Sequence, residues 1–280
     1  MPELPEVETI KNELTPRVKG RRITGVTLDW EGIVKKSSLK EFCYRLIGQQ
    51  ITGLSRRGKY LIFSLESGQA LIIHLKMTGS LLMNHAADEP SKHIRAVLHL
   101  DNGAELRFRD PRKFGAMWLV KDVSNVVGKL GPEPLEADFT ARVLAERLAR
   151  RKAPIKPLLL DQNFVAGIGN MYADEALYDA KIHPLRPASS LSREEITKLH
   201  KTICEVLQAA ITSKGASVEN YFRPGGELGT AHFQFRVAHG LGGKLCARCG
   251  APIERIVVRN RGTYFCPKCQ PFDVQKSACT

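Results

Sequence analysis

The chain has 280 residues, of which 43% are hydrophobic and 25% are charged. This composition is typical of a folded globular protein, and it excludes a disordered chain, a collagen-like repeat and a small disulfide-stapled scaffold. No apolar run reaches the roughly 18 residues that a membrane-spanning helix needs, and 42 Lys and Arg against 29 Asp and Glu give a formal charge of +13, which favours a polyanionic partner and above all nucleic acid.

The first half of the chain predicts one helix and then a series of short strands. Apolar residues spaced three to four apart predict a helix over residues 5–19. The Asn102-Gly103 pair favours a tight hairpin turn between two later strands. Closely spaced strands without intervening helices predict an antiparallel β-sandwich. The strand patterns lie at residues 23–30, 60–65, 70–75, 96–100, 105–108 and 117–120.

The second half predicts helices, a loop and a metal-binding segment. Residues 131–137 contain Gly-Pro-Glu-Pro and predict a linker. Asp138 is expected to cap a helix that runs to about Arg150. A capping box at Ser192–Glu195 precedes a longer apolar stripe, which Gly215 is expected to end. The glycine-rich residues after it are expected to form a loop.

Two Cys-x-x-Cys pairs with sixteen residues between them predict a metal site. Four thiolates at this spacing suit one structural zinc ion in a closed tetrahedral site, with no position left for a substrate. An iron–sulfur cluster and four unliganded cysteines are the alternatives. The segment between the pairs predicts a two-stranded ribbon, and its arginines favour phosphate contacts or an ordinary solvated face. The four cysteines are Cys246, Cys249, Cys266 and Cys269.

The N-terminus offers a candidate nucleophile. If Met1 is removed, Pro2 carries a secondary amine, and α-amino groups have a reference pKa of about 8. Such an amine can attack a sugar carbon and form a cationic iminium, which is an electron sink for elimination. Glu3 and Glu6 would share one side of a helical turn and could move protons. Acidic residues at a helix start are also ordinary partners of the helix dipole, so both interpretations stay open here.

Basic residues cluster at two positions in the first half. Arg56, Arg57 and Lys59 precede a strand, and several more basic residues surround Asp110. Phe114 follows this second cluster directly and could wedge into a base stack. From the residues alone, Phe114 is more readily a core aromatic, and Met77 a core filler.

Taken in order, these segments resemble the bacterial formamidopyrimidine-DNA glycosylases, the base-excision repair enzymes for oxidised purines. The resemblance covers nearly the whole chain and uses both of its ends. It includes Pro-Glu-Leu-Pro-Glu-Val-Glu at 2–8, Arg-Arg-Gly-Lys-Tyr-Leu at 56–61, His-Leu-Lys-Met-Thr-Gly-Ser at 74–80, Asp-Pro-Arg-Lys-Phe-Gly at 110–115, Leu-Gly-Pro-Glu-Pro-Leu at 130–135, Ile-Lys-Pro at 155–157, Gly-Ile-Gly-Asn-Met-Tyr at 167–172 and the zinc ribbon.

The resemblance implies an α+β multidomain fold. It consists of an N-terminal antiparallel β-sandwich with a flanking helix, a helix–two-turn–helix domain and a C-terminal zinc ribbon. The expected ranges are 1–130 for the catalytic sandwich, 131–137 for the linker, 138–237 for the helical domain with a lesion-recognition loop at 217–237, 238–271 for the ribbon, and 272–280 for a tail without an assigned role.

The resemblance also implies the partners and the cofactor. The expected partner is damaged double-stranded DNA, and the expected cofactor is one structural zinc ion, with no small-molecule cofactor and no membrane association. A monomer is expected. The acidic, proline-rich N-terminus is unlike a signal peptide, so a bacterial cytoplasmic location, at the nucleoid, is expected as well.

The family's catalytic roles transfer to matching positions of this chain. Pro2 is implied to attack the sugar C1′, and Glu3 to donate and accept protons. The resulting iminium permits β- and then δ-elimination of the two phosphates. Lys59 and Arg261 are implied to bind phosphate at the catalytic centre. Glu6 is implied to orient the catalytic end of the chain.

Other matching residues are implied to bind DNA around the flipped nucleotide. Met77, Arg112 and Phe114 correspond to the residues that fill the gap left by the base, with Arg112 facing the orphaned cytosine. The implied DNA-binding set also includes His93, Asn170 and Lys156. Glu175 matches a family position and is expected to have a supporting role.

The chain departs from the family's usual sequence in several loops. Lys76 replaces a usual glycine, Arg95 replaces a histidine, Ala238-His239 replaces a Tyr-Gly pair, and Phe222–Gly225 is unusual. Two alternative functions follow: an endonuclease VIII-like glycosylase for oxidised pyrimidines, and a non-catalytic zinc-ribbon DNA-binding protein. Leu4 and the gap-filling residues argue against the first, while intact Pro2, Glu3 and Lys59 argue against the second.

Overall fold

The computed structural model describes residues 1–85, 92–218 and 221–272. The chain divides into two compact units, of which the first contains Met1–Lys129 and Ile211–His232 and the second contains Leu130–Ala210 and the chain from Phe233 onward. The predicted tail from residue 273 and positions 219 and 220 of the predicted loop lie outside the described residues. Among the described helices, none combines the length and apolar character that crossing a membrane requires.

Helix α1 (Leu4–Val18) opens the first unit. Its apolar stripe is fully buried, at Val7, Ile10, Leu14 and Val18. Burying an aliphatic side chain contributes about 1.5–3 kcal/mol, so this stripe holds the helix against the strands. Because α1 packs on the sheet that contains the third and fourth strands, its N-terminal turn has a fixed place in the unit.

Two sheets pack around that helix. One has the order β1-β7-β8-β6, and the other has the order β2-β9-β5-β4-β3. All neighbouring strands are antiparallel except β2 and β9, which run parallel. Apolar residues from α1 and both sheets form one buried cluster, so the predicted α+β fold with an antiparallel β-sandwich is confirmed. The strands are β1 (Ile23–Leu28), β2 (Val34–Lys35), β3 (Ile51–Arg57), β4 (Tyr60–Leu65), β5 (Ala70–His74), β6 (Ser80–His85), β7 (Ile94–Leu100), β8 (Ala104–Arg109) and β9 (Ala116–Val120).

The second unit contains most of the remaining helices. They are α4 (Ala141–Leu148), α5 (Ile155–Leu160), α6 (Asn170–Ala180) and α7 (Arg193–Thr212), except that the last two residues of α7 belong to the first unit, as do the short α2 (Leu39–Leu46) and α3 (Ser124–Val127). The capping box before α7 is present: the Glu195 N–H donates to Ser192 Oγ at 3.2 Å, and the Ser192 N–H donates to the Glu195 carboxylate at 2.8 Å.

One predicted cap is wrong. Helix α4 begins at Ala141, and Thr140 rather than Asp138 caps it, because the Thr140 Oγ1 accepts the Val143 N–H at 3.3 Å. Asp138 lies two residues too early to reach the first free N–H groups. The helix also ends at Leu148, before Arg150.

The C-terminal hairpin consists of β10 (Glu254–Val258) and β11 (Arg261–Phe265). Its two turn residues, Arg259 and Asn260, both have left-handed backbones with φ of 45° and 60°. A two-residue type I′ turn requires this conformation at both positions. The hairpin therefore presents Arg261 directly after a tight turn.

Candidate nucleic-acid interface and metal centre

The start of α1 buries the predicted catalytic end of the chain. Pro2 is buried, and Glu3 and Glu6 are 2% and 1% exposed. The backbone N–H of Glu3 donates to the Glu6 carboxylate at 2.7 Å. Glu6 thus fixes the backbone next to Pro2, which is the geometry that an orienting residue requires.

Glu6 also binds the segment after α7. Its other carboxylate oxygen accepts the Ala216 N–H at 2.8 Å. Gly215 makes this approach possible, since a Cβ there would lie 2.9 Å from Glu6 Cγ, and its φ of +79° already disfavours a side chain. Gly215 was expected only to end a helix; its close contact with Glu6 could not be seen in the sequence.

Lys59 lies in the two-residue turn between β3 and β4. Gly58 precedes it with a φ of +54°, and the flanking Arg57 and Tyr60 are paired across the hairpin. The Lys59 residue is 5% exposed. The tight turn fixes the backbone that carries this lysine.

An ion pair joins this turn to α1. Arg56 Nη1 donates to the Gly58 carbonyl at 2.9 Å, and Arg56 Nε donates to Glu8 at 2.7 Å. Burial raises the pKa of Glu8, but hydrogen bonds from Lys11 and Arg56 outweigh this effect and lower it. Glu8 therefore stays ionised and holds the Lys59 turn against the helix that begins after Pro2.

His74 is the last residue of β5 and lies beside Lys59 and Lys76. Its Nδ1 accepts the Lys76 N–H at 2.9 Å, and its ring packs edge-on against Tyr60 at 4.5 Å. Burial, together with the charges of Lys76 and Lys59, lowers the pKa of His74 to about 3. The imidazole is therefore neutral and adds no positive charge beside Lys59.

Two loops bring the predicted gap-filling residues together. The buried Asp110 carboxylate accepts the Thr78 hydroxyl at 2.5 Å, the Arg112 N–H at 3.2 Å and the Gly115 N–H at 2.7 Å. Thr78 directly follows Met77, so one carboxylate holds both the Met77 loop and the loop that carries Arg112.

The sequence alone favoured a core position for Phe114, but in the structure this residue is not in the core. Its side chain is 47% exposed, and the Arg112 guanidinium lies 4.7 Å from its ring centroid. Met77 is only partly buried. An arginine stacked on an exposed aromatic ring is suited to contact with bases and sugars.

His93 lies in a third loop attached to Asp110. It is exposed and left-handed, with a φ of 73°, and its carbonyl accepts the Asp110 N–H at 2.9 Å. Arg95, in place of the family's usual histidine, lies 3.2 Å from His93 Nδ1 and pairs with Asp29 at 2.7 Å. Arg95 thus places a hydrogen-bond donor beside His93, while its charge is paired with Asp29.

In the second unit, Asn170 and Arg261 are neighbours through Gly262. Asn170 begins α6, and its Nδ2 donates to the Gly262 carbonyl at 2.9 Å. Arg261 is exposed at the start of β11. An amide and a guanidinium at a helix N-terminus form a suitable phosphate site.

The prediction that Lys156 binds DNA disagrees with its burial. The side chain is 0% exposed, and Nζ lies 2.7 Å from Asp174 and 2.7 Å from Thr263 Oγ1. Burial raises the pKa of Asp174 to about 7, against the opposing effect of the Lys156 ammonium. Lys156 thus contacts the strand that carries Arg261, and any effect on DNA binding is expected to act through that strand; Asp174 is a partner that the sequence patterns missed.

Glu175 supports the chain before the ribbon. Its carboxylate accepts the backbone N–H groups of Arg236, Val237 and Ala238 at 2.9, 2.9 and 2.7 Å. Three donors on one buried carboxylate fix the path of the backbone. The unusual Ala238 of this chain keeps the contact, because only its N–H is used.

The four cysteines of the C-terminal motif converge on one point. Their sulfurs all lie within 4.8 Å of one another, with the Cys246–Cys269 pair at 3.8 Å and the Cys249–Cys266 pair at 3.4 Å. A tetrahedral zinc site with bonds of about 2.3 Å places sulfurs about 3.8 Å apart. The thiolates therefore fit one zinc ion and are too close for a multi-iron cluster. Tyr178 Oη, 3.1 Å from Cys246 Sγ, adds a hydrogen bond from outside the ligand set.

Three protein-family models match successive parts of the chain. The formamidopyrimidine-DNA glycosylase N-terminal domain matches residues 1–117, and the H2TH domain of the same enzymes matches residues 130–221. A zinc finger found in FPG and IleRS matches residues 243–271. A formamidopyrimidine-DNA glycosylase from Chloroflexus aurantiacus is 48% identical over 273 residues, which are 96% of this chain and 98% of that protein. The chain belongs to the formamidopyrimidine-DNA glycosylase family.

Other members of the family match over the same length. The formamidopyrimidine-DNA glycosylase of Herpetosiphon aurantiacus is 48% identical over 96% of this chain and 100% of that protein. Among solved structures, the Lactococcus lactis enzyme in complex with DNA containing an abasic site has a TM-score of 0.90 at 38% identity, covering 96% of this chain and 99% of that chain. The same enzyme with DNA containing an oxidised pyrimidine has a TM-score of 0.89 at 38% identity, covering 96% and 100%.

Family membership confirms the resemblance, the fold class and the structural zinc site. The individual roles of Pro2, Glu3, Lys59 and the DNA-binding residues stay predictions. Several supporting residues of this family member were missed, namely Glu8, Thr78, Asp110, Asp174 and Gly215. The Asp-Pro pair at 110–111 gave a local signal, because such a pair favours a turn.

Proposed function

We propose that the protein is a bifunctional DNA glycosylase and abasic-site lyase of base-excision repair that removes oxidised purines from double-stranded DNA. The observation that carries the proposal is the buried Pro2–Glu3 end of α1, to which Arg56 and Glu8 attach the Lys59 turn. The candidate nucleophile Pro2, the candidate proton carrier Glu3 and the candidate phosphate-binding Lys59 thus lie on a helix and a hairpin turn that hydrogen bonds attach to each other. Family membership supplies the reaction class.

The chemistry begins at the nitrogen of Pro2. Removal of Met1 frees this nitrogen, which in an amide would not be nucleophilic. The amine attacks C1′ of the damaged nucleotide, the bond from C1′ to the base breaks, and the base leaves with a proton. Opening of the sugar ring gives an iminium between Pro2 and C1′. Glu3 is the group close enough in sequence to donate and accept the protons.

The iminium then drives strand cleavage. Loss of a proton from C2′ expels the 3′ phosphate, and a second elimination expels the 5′ phosphate. Water finally hydrolyses the iminium and frees Pro2. Lys59 would stabilise the negative charge of the phosphate beside the reacting sugar. His74 is neutral and would add no positive charge there.

Base flipping explains the exposed residues of the first unit. A base inside a duplex shields C1′, and extruding it costs a few kcal/mol. Met77, Arg112 and Phe114 would fill the gap, with the Arg112 donors turned to the orphaned cytosine. His93, Asn170 and Arg261 would bind phosphates, and the net charge of +13 would strengthen this binding at low salt.

Oxidised pyrimidines are a second candidate substrate class. The observation that favours them is the similar Lactococcus lactis structure whose DNA contains an oxidised pyrimidine. The sequence at Phe222–Gly225 is unusual for the family. The preference between oxidised purines and oxidised pyrimidines must therefore be measured on this protein. We further propose that the protein acts as a monomer in the bacterial cytoplasm, at the nucleoid.

Borohydride trapping tests the proposal. The protein is incubated with duplex DNA carrying 8-oxoguanine opposite cytosine, reduced with borohydride, digested and mapped by mass spectrometry. We expect a covalent adduct on Pro2, which also shows that Met1 has been removed. Glu3→Gln should retain DNA binding and lose base excision. Pro5→Ala, which changes the neighbouring proline of the same turn, serves as the control and should trap normally.

The result that contradicts the proposal is equally defined. A protein with a free Pro2 and measurable DNA affinity that forms no adduct with 8-oxoguanine, oxidised pyrimidine or abasic DNA is a non-catalytic binder. An adduct with oxidised pyrimidine alone would replace the proposed substrate class with the second one.

A further inference from the structure

Residues 221–224 form a strap across the first unit, anchored at three points. Tyr221 is the first anchor: its residue is 4% exposed within the main core cluster, and its hydroxyl donates to the Lys214 carbonyl at 3.1 Å. An aromatic side chain in the core fixes the backbone on either side of it. The strap is therefore attached to the core and not only to the surface.

Arg223 is the second anchor. Its Nε and Nη2 lie 2.8 Å and 2.6 Å from Oε1 of Glu13 on α1. The two side chains are 25% and 18% exposed, so the pair is partly shielded from water. Charge-assisted hydrogen bonds with two donors are stronger and more directional than ordinary surface pairs.

Pro224 is the third anchor. Its carbonyl accepts the N–H of Met83 at 2.8 Å. Among the described strands, β6 is at the edge of its sheet, and its Met83 N–H binds this carbonyl rather than a neighbouring strand. Pro224 has no N–H of its own, so it takes this single bond and does not extend the sheet. Phe222, between the anchors, lies with its ring 5.8 Å from the Arg109 guanidinium.

One face of α1 holds both ends of the segment from Ala216 to Arg223. Glu6 and Glu13 are seven residues apart, two helical turns, and so lie on the same face. Glu6 binds the Ala216 N–H, and Glu13 binds the Arg223 guanidinium. The helix that follows Pro2 therefore also binds Ala216 and Arg223.

We propose that Glu13 and Arg223 are positioning residues, whose ion pair fixes Phe222 and the strap relative to Pro2 and thereby sets the efficiency of oxidised-base excision. The proposal rests on the proposed function. A strap held in register with the nucleophile would act on the damaged base. Cleavage at a preformed abasic site has no base to hold, so it should not need the tether.

Single-turnover kinetics on two duplexes test the tether. Glu13→Gln and Arg223→Gln should each slow excision of 8-oxoguanine by about tenfold, the scale of one charge-assisted hydrogen bond. Strand cleavage of a duplex with a preformed abasic site should stay within about twofold of the original protein. The charge-reversed pair Glu13→Arg with Arg223→Glu should recover most of the lost excision.

Hydrogen exchange provides a readout independent of catalysis. Both single variants should exchange faster at the amides of Met83 and Arg223, and the reversed pair should restore protection. Glu41→Gln is the matched control, because it breaks the exposed Arg45–Glu41 pair of 2.8 Å on α2 in the same unit. It should change neither excision nor exchange at the strap.

Two results overturn the proposal. One is unchanged excision in both single variants, and the other is an equal loss on both duplexes without recovery by the reversed pair. Failure of the proposed function is a different observation, since the original protein would then cleave neither duplex. Hydrogen exchange would then still test the ion pair. If the amides of Met83 and Arg223 exchange equally fast in the single variants and in the original protein, the Glu13–Arg223 pair does not hold the strap.

Discussion

The hydroxyl of Thr78 and the carboxylate of Asp110, 2.5 Å apart, join the loop of Met77 to the loop of Arg112 and Phe114. Thr78 is 4% exposed and Asp110 is 0% exposed. The same carboxylate accepts two backbone N–H groups of the second loop. Two loops that are distant in sequence, which carry the three predicted gap-filling residues, are therefore held together by one carboxylate.

Removing the charge of Asp110 should loosen the contact between these two loops. In Asp110→Asn, an amide N–H₂ replaces one acceptor and faces donors, which should cost about 1–3 kcal/mol. Affinity for duplex DNA with an abasic site should fall with it. Urea unfolding and a binding titration measure both effects. Asp122→Asn, at an exposed turn before α3 in the same unit, is the control. Equal losses in the two variants would contradict the role of Asp110.

Lys76 should tolerate replacement by glycine. Its φ is +56°, a conformation that strains a residue with a Cβ. Lys76→Gly should raise the free energy of unfolding by about 0.5–1 kcal/mol. Lys121→Gly, at a residue without a left-handed backbone, should lower it instead. Parallel urea titrations decide, and a loss of stability in Lys76→Gly would refute the strain argument.

The buried pair of Lys156 and Asp174 should behave as a unit. Lys156→Met removes the cation that keeps the pKa of Asp174 from rising further, so Asp174 becomes a buried neutral acid without its partner and the change should cost about 1–3 kcal/mol, whereas Lys156→Met with Asp174→Leu should cost less. A double-mutant cycle by chemical unfolding measures the coupling. Both variants should weaken binding to DNA, because Thr263 and Gly262 lose a partner beside Arg261. If the losses in free energy of unfolding of the two single variants simply add up in the double variant, Lys156 and Asp174 are not energetically coupled.

His74 should make stability depend on pH. Its pKa falls from 6.5 to about 3 in the folded protein because of burial and the charges of Lys76 and Lys59. As the pH drops below 6.5, the unfolded chain binds a proton that the folded protein does not, so stability is lost toward acid, by at most about 1.4 kcal/mol per pH unit. His74→Gln should be less stable at pH 7.5, and its deficit should shrink by pH 5. Urea midpoints at several pH values test this, and a constant deficit would count against it.

Local patterns determined most secondary structure. The apolar spacing over residues 5–19 predicts a helix and corresponds to α1 at Leu4–Val18. The strand pattern at residues 60–65 corresponds to β4 at Tyr60–Leu65. Strand β3 (Ile51–Arg57) was missed, because it is an edge strand with Thr, Gly, Ser and Arg among its residues and little apolar alternation. The cap of α4 was misplaced because Asp138 and Thr140 are both good capping residues, and only the path of the chain selects one.

The sequence by itself determined the family, the zinc ligands and the candidate catalytic residues, since these depend on residue types at short spacings along the chain. Only the tertiary structure decided which of these residues face solvent and which support others. It exposed Phe114, buried Lys156 against Asp174, and brought Asp110 to Thr78 and Arg223 to Glu13. The physical reason is that burial and ion pairing between distant positions depend on how strands and helices pack, and no local spacing encodes that packing.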